Sequence, residues 1–413
     1  MSNEVNFDEV YAKVDELKDE IIESLMKIVR VPAIGPKSGG DGELKKAQLI
    51  EEMIQDFGFD EITHYDAPDD SVPSGIRPNI IAKVNGTDPS LPPIWVMSHT
   101  DIVPTGDLKL WDTDPFEPVI KEGRIYGRGV EDNGQELIAS IYAVKVLKLL
   151  GLKPKHTIGL ALVADEETGS AKGLHHIINE KIFKPTDLIV VPDGGNEEGT
   201  LMEVSEKSIM WVKVTTLGKQ CHASMPDKGI NAFRAASIFA VKADEMLKST
   251  YGKVDELFDP PTSTFEMTKK EANVPNVNTI PGEDTFYFDC RILPDYSTED
   301  ALGALKKLVE EVSSETGAKI ELELVQHDPA APPTAPDAPV VNALKQAIEK
   351  VYNNEPYPGG IGGGTCAAIF RRAGYPAVVW GTMYETAHSP NEFVEIDFLI
   401  NDTKVFCTLF LSD

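Results

Sequence analysis

Sulfur is scarce in this chain. Its 413 residues hold four cysteines (Cys221, Cys290, Cys366 and Cys407), far apart and without a Cys-x-x-Cys pair. Nothing here resembles a disulfide framework, and a reducing compartment, the cytoplasm, is the expected location. Basic charge is also short: 39 Lys+Arg face 67 Asp+Glu, a formal net charge of −28. A field of that sign repels phosphate backbones and anionic bilayers, so neither nucleic acid nor a membrane surface is expected as partner. No stretch approaches the roughly 18 uncharged apolar residues of a membrane span. Met1–Val14 carries acids where a signal peptide needs a basic start and an apolar run. A Gly-x-Ser-x-Gly elbow is missing, which argues against a serine hydrolase. What is present, 41% hydrophobic and 26% charged residues, is the balance of a soluble globular protein of two or three domains.

Periodicity organises the rest. Val10, Val14, Leu17, Ile21, Leu25 and Ile28 form one apolar helical stripe. Strands and helices then alternate. Asn79–Val84, Ile94–Met97, Thr157–Val163 and Leu188–Val191 read as strands, and Gln135–Leu150 and Ala171–Ile178 as helices. Short apolar runs separated by helices predict an α/β domain, its sheet mostly parallel and covered on both faces. From Ser208 the texture changes to a β-α-β-α-β order: Met210–Thr215, Asn231–Met246, Thr285–Ile292, Thr298–Ser314 and Lys319–Val325. That order suggests a small inserted α+β unit. A Pro/Ala-rich linker, His327–Pro339, precedes helices at Val340–Val351 and Thr365–Ala373 and a strand at Ala377–Trp380. The expected division is therefore 1–207 with 328–413 as one discontinuous domain, and 208–327 as the insertion.

Polar clusters follow the strands. Ile94–Met97 runs into Ser98-His99-Thr100-Asp101, Thr157–Val163 into Asp165-Glu166-Glu167, and Leu188–Val191 into Pro192-Asp193-Gly194. Asp132 stands at the N-terminal edge of the Gln135–Leu150 helix. Singly, each has a structural reading: a chance His-x-Asp, a solvated acidic turn, turn chemistry before glycines, a helix cap. Together they are aimed at one crevice, because the carboxyl ends of parallel strands form the site edge. Hydrolytic metal sites need His nitrogen and carboxylate oxygen of this kind.

In order, these motifs resemble the co-catalytic zinc exopeptidase and deacylase family that includes carboxypeptidase G, acetylornithine deacetylase, succinyl-diaminopimelate desuccinylase, aminoacylase, carnosinase and peptidase T. Ser98-His99-Thr100-Asp101, Gly127-Arg128-Gly129 leading to Asp132, Glu166-Glu167-Thr168-Gly169 and Ala387-His388-Ser389-Pro390-Asn391-Glu392 carry the resemblance, which runs from His99 to His388. It implies a zinc-peptidase-type catalytic domain with a ferredoxin-like lid that also makes a homodimer. By the same resemblance two divalent ions, expected to be Zn²⁺ with Co²⁺ or Mn²⁺ as alternatives, lie in one site. His99 and Asp193 would bind one, Glu167 and His388 the other, and Asp132 would bridge them. Asp101 would orient the His99 imidazole, and Glu166 would be the general base that moves a proton from water to the leaving amine.

The lid motif is matched by Gly218-Lys219-Gln220-Cys221-His222-Ala223-Ser224-Met225-Pro226. It implies that His222 reaches the neighbouring subunit's site and stabilises the oxyanion. Asn278 and Arg291 match the pair that contacts a substrate carboxylate; for Arg291 an internal salt bridge is the competing reading. Gly359–Thr365 lacks the Gly-Lys-[ST] ending of a phosphate loop. In the family this segment lines the substrate pocket, here through Gly364 and Thr365. Two departures stand out: Asn133-Gly134-Gln135 where a hydrophobic residue, Lys and Gly usually follow the bridging Asp, and Cys366 where an acid or Ser is common. Asp rather than Glu at position 193 is the aminopeptidase and dipeptidase pattern, so the expected substrate is a small dipeptide-like molecule, with an N-acyl amino acid as the alternative.

Overall fold

The computed structural model describes residues 5–412. Met1–Glu4, part of the expected N-terminal reading, and Asp413 lie outside the described residues. Two compact units are present. One runs up to Val204 and takes in Thr334–Pro358 and the chain from Thr365; the other comprises Ser205–Pro333 with Gly359–Gly364. The glycine-rich segment thus groups with the second unit, where the sequence reading had placed it in the first.

An eight-stranded sheet forms the first unit's centre, in the order Glu61–His64, Ile80–Val84, Ile158–Val163, Ile94–His99, Leu188–Val191, Ala377–Val379, Leu201–Glu206, Tyr357–Ile361. The four middle strands from Ile158–Val163 to Ala377–Val379 are parallel. Antiparallel pairs flank them. The middle strands are buried along their whole length, which is why they read as continuous apolar runs rather than alternating ones. Helix Gln135–Leu150 has the bounds its apolar run predicts. It is apolar nearly all round because it packs between the sheet and the C-terminal helix Ile396–Phe410.

Differences from the sequence expectation have local causes. The single N-terminal stripe is two helices, Phe7–Glu16 and Lys18–Val29, joined at Leu17. The apolar spacing survives the break, so periodicity alone does not reveal it. The expected linker begins inside a strand, since His327 belongs to Lys319–Asp328. Helix Ile396–Phe410 has only a narrow polar stripe, Asp397, Asn401 and Lys404, because eleven of its fifteen residues are buried.

The second unit is a four-stranded antiparallel sheet in the order Thr264–Lys270, Glu283–Ile292, Ser208–Leu217, Lys319–Asp328. Helices Ala232–Thr250 and Thr298–Thr316 pack on it over a core that includes Phe239, Phe286, Phe288, Leu305 and Val312. The chain order is β-α-β-β-α-β, the split βαβ arrangement. The strand absent from the sequence reading is Thr264–Lys270, an edge strand whose last five residues are exposed and therefore show no apolar alternation.

Candidate metal centre

Five segments of the first unit meet at the carboxyl ends of its parallel strands. His99 is the last residue of strand Ile94–His99, beside Val163 of the neighbouring strand. Glu166 and Glu167 lie in the single turn Glu166–Thr168 just beyond Val163. The chain reverses there through Asp165, whose φ of 64° is left-handed. Asp193 follows strand Leu188–Val191 by two residues. Asp132 occupies the irregular turn Val130–Gly134 that leads into helix Gln135–Leu150, with its peptide bond to Asn133 in the cis form. His388 (φ 61°) comes from the loop ahead of strand Phe393–Glu395.

Asp132 stands between the two imidazoles. Its Oδ1 is 2.8 Å from His99 Nε2 and its Oδ2 is 3.0 Å from His388 Nε2. Asp193 Oδ1 lies 3.4 Å from His99 Nε2, and Glu167 Oε2 lies 3.1 Å from His388 Nε2. Donor atoms of His99, Asp132 and Asp193 fall within 4.8 Å of one another, and so do those of Asp132, Glu167 and His388. Glu166 shares such a cluster with His99 and Glu167, and another with Asp193 and Cys366. The five residues expected to ligate and the expected base thus surround one point.

The electrostatics are those of acids crowded together. Burial would push the Asp132 carboxyl up, but hydrogen bonds from His388 and His99 outweigh it and hold it well below the usual range. Those same contacts to Asp132 and Glu167 raise His388 to about 10. For His99 burial opposes protonation, yet Asp193, Asp101 and Asp132 together lift it well above the ordinary value. Burial, with the charge of Asp193, drives Glu166 well up; burial likewise raises Glu167 and Asp193. Without a cation, protons on the imidazoles must balance these carboxylates. Glu167 Oε1 is buried and takes no hydrogen bond. Two imidazoles, three carboxylates and an unsatisfied buried oxygen are a donor set that fits divalent cations of the zinc type.

Asp101 faces the His99 ring and a second element as well. The His99 Nδ1 lies 3.0 Å from the Asp101 backbone carbonyl, and 3.6 Å from its carboxylate. The carboxylate also accepts the backbone N–H groups of Glu166 and Glu167, each at 3.1 Å. It ties the Glu166–Glu167 turn to the end of the His99 strand.

The remaining expected residues belong to the second unit or to its border. His222, Asn278, Arg291 and Gly364 belong to the second unit, while Thr365 is the first residue where the chain re-enters the first. His222 is exposed on the short strand Cys221–His222, its Nδ1 2.8 Å from Ser224 Oγ. Asn278 is exposed, and its carbonyl accepts Ala223 N–H at 2.9 Å. Arg291 gives one edge of its guanidinium to Asp289, at 2.6 and 3.0 Å, and Nη1 to the Gly362 carbonyl at 2.9 Å. The internal salt bridge weighed for it is therefore formed. Gly364 has open space where a side chain would project.

Several residues at the centre had no role in the sequence reading. Asn133 Nδ2 donates to the Pro192 carbonyl and lies 3.3 Å from Asp193 Oδ1. Cys366 Sγ lies 4.0 Å from Asp193 Oδ2. Both motif departures therefore meet the same carboxylate, one at each oxygen. Glu131 and Glu392 are buried beside the ligand loops; the doubled acid Glu131-Asp132 was the only hint of the first.

Residues 95–412 match the family described as Peptidase family M20/M25/M40. The chain belongs to this family. Among the proteins it resembles, an uncharacterized metallohydrolase of Methanococcus maripaludis is 38% identical over 412 residues, covering 94% of this chain and 98% of the relative. A succinyl-diaminopimelate desuccinylase of Nitratiruptor sp. is 28% identical over 380 residues, covering 90% and 94%. The crystal structure of human carnosine dipeptidase 1 superposes with a TM-score of 0.73 at 19% identity, covering 99% of this chain and 98% of that one, which speaks for the fold. As a member of Peptidase family M20/M25/M40, the protein is a metallohydrolase acting on peptide or other amide bonds.

Proposed function

We propose that the protein hydrolyses the amide bond of a small dipeptide-like substrate at a centre of two divalent cations, Zn²⁺ first among the candidates. The observation that carries this is Asp132, with one carboxylate oxygen on each imidazole and a carboxylate partner for each imidazole beyond it. His99 and Asp193 would hold one ion, Glu167 and His388 the other, and Asp132 would bridge. The cations supply Lewis-acid polarisation of the scissile carbonyl.

The chain's own groups do the rest. Glu166, raised by burial and by Asp193, suits a group that must both take and return a proton near neutral pH. It takes one from the attacking water and delivers it to the leaving amine. Asp101 fixes the Glu pair through backbone amides, so that Glu167 points to the ions while Glu166 stays free. His222, exposed and backed by Ser224, is assigned to the oxyanion of a partner subunit's substrate in a homodimer formed through the second unit. Arg291, Asn278, Gly364 and Thr365 are assigned to the substrate's carboxylate end. The described cysteines are all free, in keeping with a cytoplasmic protein.

A second reading, an N-acyl amino acid deacylase, is favoured by the desuccinylase relative. Metal analysis after mild purification should find about two transition-metal ions per chain. Dipeptides, N-acetyl and N-succinyl amino acids, each assayed with Zn²⁺, Co²⁺ and Mn²⁺, separate the readings. Turnover of dipeptides alone supports the first. Turnover of acyl amino acids alone replaces it with the second.

A further inference from the structure

Two buried glutamates stand outside the ligand set, and each grips the loop that the other one belongs to. Glu131, beside Asp132, is 2% exposed. One of its oxygens accepts Tyr384 N–H at 2.8 Å; the other accepts Ala387 N–H at 2.8 Å, Thr386 Oγ1–H at 2.9 Å and Thr386 N–H. These donors are the residues just ahead of His388. Glu392, four residues past His388, is fully buried. It accepts Gly129 N–H at 2.9 Å, Glu131 N–H at 2.9 Å and Asp132 N–H at 3.2 Å, and pairs with Arg128 Nη1 at 2.7 Å. These are the residues that lead to Asp132.

We propose that Glu131 and Glu392 are reciprocal positioning residues that set the spacing of Asp132 and His388 for the second cation. The inference rests on the reading of those two residues as ligands. The physical argument is one of determination. The His388 loop has three non-glycine residues in left-handed backbone, Glu385 at φ 57°, His388 at φ 61° and Asn391 at φ 59°, a conformation that persists only where surroundings over-determine it. Several backbone N–H groups converging on one buried carboxyl fix its direction as well as its distance. Four hydrogen bonds converge on Glu131 from residues 384–387, and the matching set on Glu392 holds residues 128–132. A clamp meant only for fold stability has no need to join two ligand loops some 250 residues apart in sequence. This pair joins them twice, in opposite senses.

Titration of the metal-free full-length chain with Zn²⁺ against a chromophoric chelator tests this, with melting of the metal-free proteins alongside. Asp187→Asn serves as control, because Asp187 is equally buried and accepts Trp95 Nε1–H and Lys184 N–H at the opposite end of strand Leu188–Val191. Glu131→Gln should weaken one of the two Zn²⁺ ions by about tenfold or more, and Glu392→Gln both, since Glu392 holds the bridging Asp132. In the loaded enzyme kcat should fall while KM stays within about threefold. Asp187→Asn should lower the melting temperature and leave both affinities within about threefold of wild type. If Glu131→Gln does not fold, Thr386→Val, which removes one donor and keeps the carboxylate, should weaken the same ion by a smaller factor, about threefold. Unchanged affinities in the folded glutamate variants and in Thr386→Val, or an equal loss in Asp187→Asn, would overturn the positioning role. A wild-type chain that takes up no Zn²⁺ would overturn the ligand reading itself.

Discussion

Two clusters of acids sit in the first unit, and they are built in opposite ways. At the candidate centre, carboxylates of Asp132, Glu166, Glu167 and Asp193 crowd around two imidazoles, and Glu167 Oε1 is left without a hydrogen-bond donor. Behind it, Glu136 and Asp402 form a second buried pair. Asp402 accepts Tyr352 O–H at 2.6 Å and Thr382 N–H at 3.0 Å, with Thr382 Oγ1 at 2.8 Å. Gln135 Nε2 donates to both carboxyls, at 2.8 and 2.9 Å. Burial and the Asp402 charge push Glu136 well up, so it keeps a proton and donates it to its neighbour. Glu136 Oε2 also lacks a donor, which leaves it as the oxygen that carries the proton; the second cluster is thus closed by neutral donors and that proton, whereas Glu167 Oε1 has neither. Acid content does not distinguish a metal site from a structural pair. The supply of donors does.

The largest effect expected is on the open cluster. Glu166→Ala should lower kcat by about 10²- to 10⁴-fold, the usual contribution of a positioned acid–base group. Metal content should stay near the wild-type value, because Asp132, Glu167, Asp193 and both imidazoles are untouched. Steady-state kinetics with metal analysis of the same sample checks both halves. Lost metal would make Glu166 a ligand rather than a proton carrier.

Next in size is a break in the closed cluster. Asp402→Ala takes the carboxylate acceptor from Tyr352 O–H and Thr382 N–H, each loss costing about 1–3 kcal/mol, while Gln135 Nε2 keeps Glu136 and the Thr382 carbonyl. A total of roughly 3 kcal/mol or more should appear as a clear drop in melting temperature. The variant that still folds should take up as much metal as the wild type. An equal loss of metal would mean the two clusters are one.

These contrasts bear on what could be read from the residues alone. His99, Glu166, Glu167 and Asp193 were legible because each stands just past a continuous apolar run, and such runs become parallel strands with a shared carboxyl edge. Asp132 was legible only with the helix whose start it marks. Glu131, Glu136, Glu392 and Asp402 were not: an acid gripping backbone amides looks the same in sequence as one in water. Asp101 shows a related limit, since its position two residues past His99 gives no sign that its carboxylate also holds the Glu166–Glu167 turn. In the fold, what escaped was whatever lacks a one-sided pattern. Thr264–Lys270 is exposed along most of its length and shows no alternation, and Ile396–Phe410 is buried but for a narrow stripe at Asp397, Asn401 and Lys404.

The closed cluster also carries a pH signature. An unfolded glutamate titrates near 4.5, whereas folded Glu136 holds its proton to well above that. Over that interval the folded chain binds one proton more than the unfolded chain. Its contribution to stability is therefore complete below the unfolded value and is lost as pH rises through the folded one. Glu136→Gln replaces the proton-dependent donor with a permanent amide. Its melting temperature relative to wild type should rise between about pH 5 and about pH 8. A difference that stays constant with pH would mean that no proton is shared by Glu136 and Asp402.

The smallest effect expected is at the border of the open cluster. Cys366 is buried, and burial pushes its thiol well up, so the sulfur keeps its proton. At 4.0 Å from Asp193 Oδ2 it is a weak donor to an oxygen already facing the centre. Cys366→Ser supplies a stronger donor in a smaller volume. The gain of a better hydrogen bond and the loss of packing oppose each other, and a net change within about 1 kcal/mol is expected. Metal content should be unchanged and KM should move by no more than about threefold. Substitution of Co²⁺ for the native ion gives the sharper readout, because a sulfur–cobalt charge-transfer band requires direct ligation. Wild type and Cys366→Ser should show the same near-ultraviolet spectrum. A band present in the wild type and lost in the serine variant would move Cys366 from the closed side of the comparison to the open one.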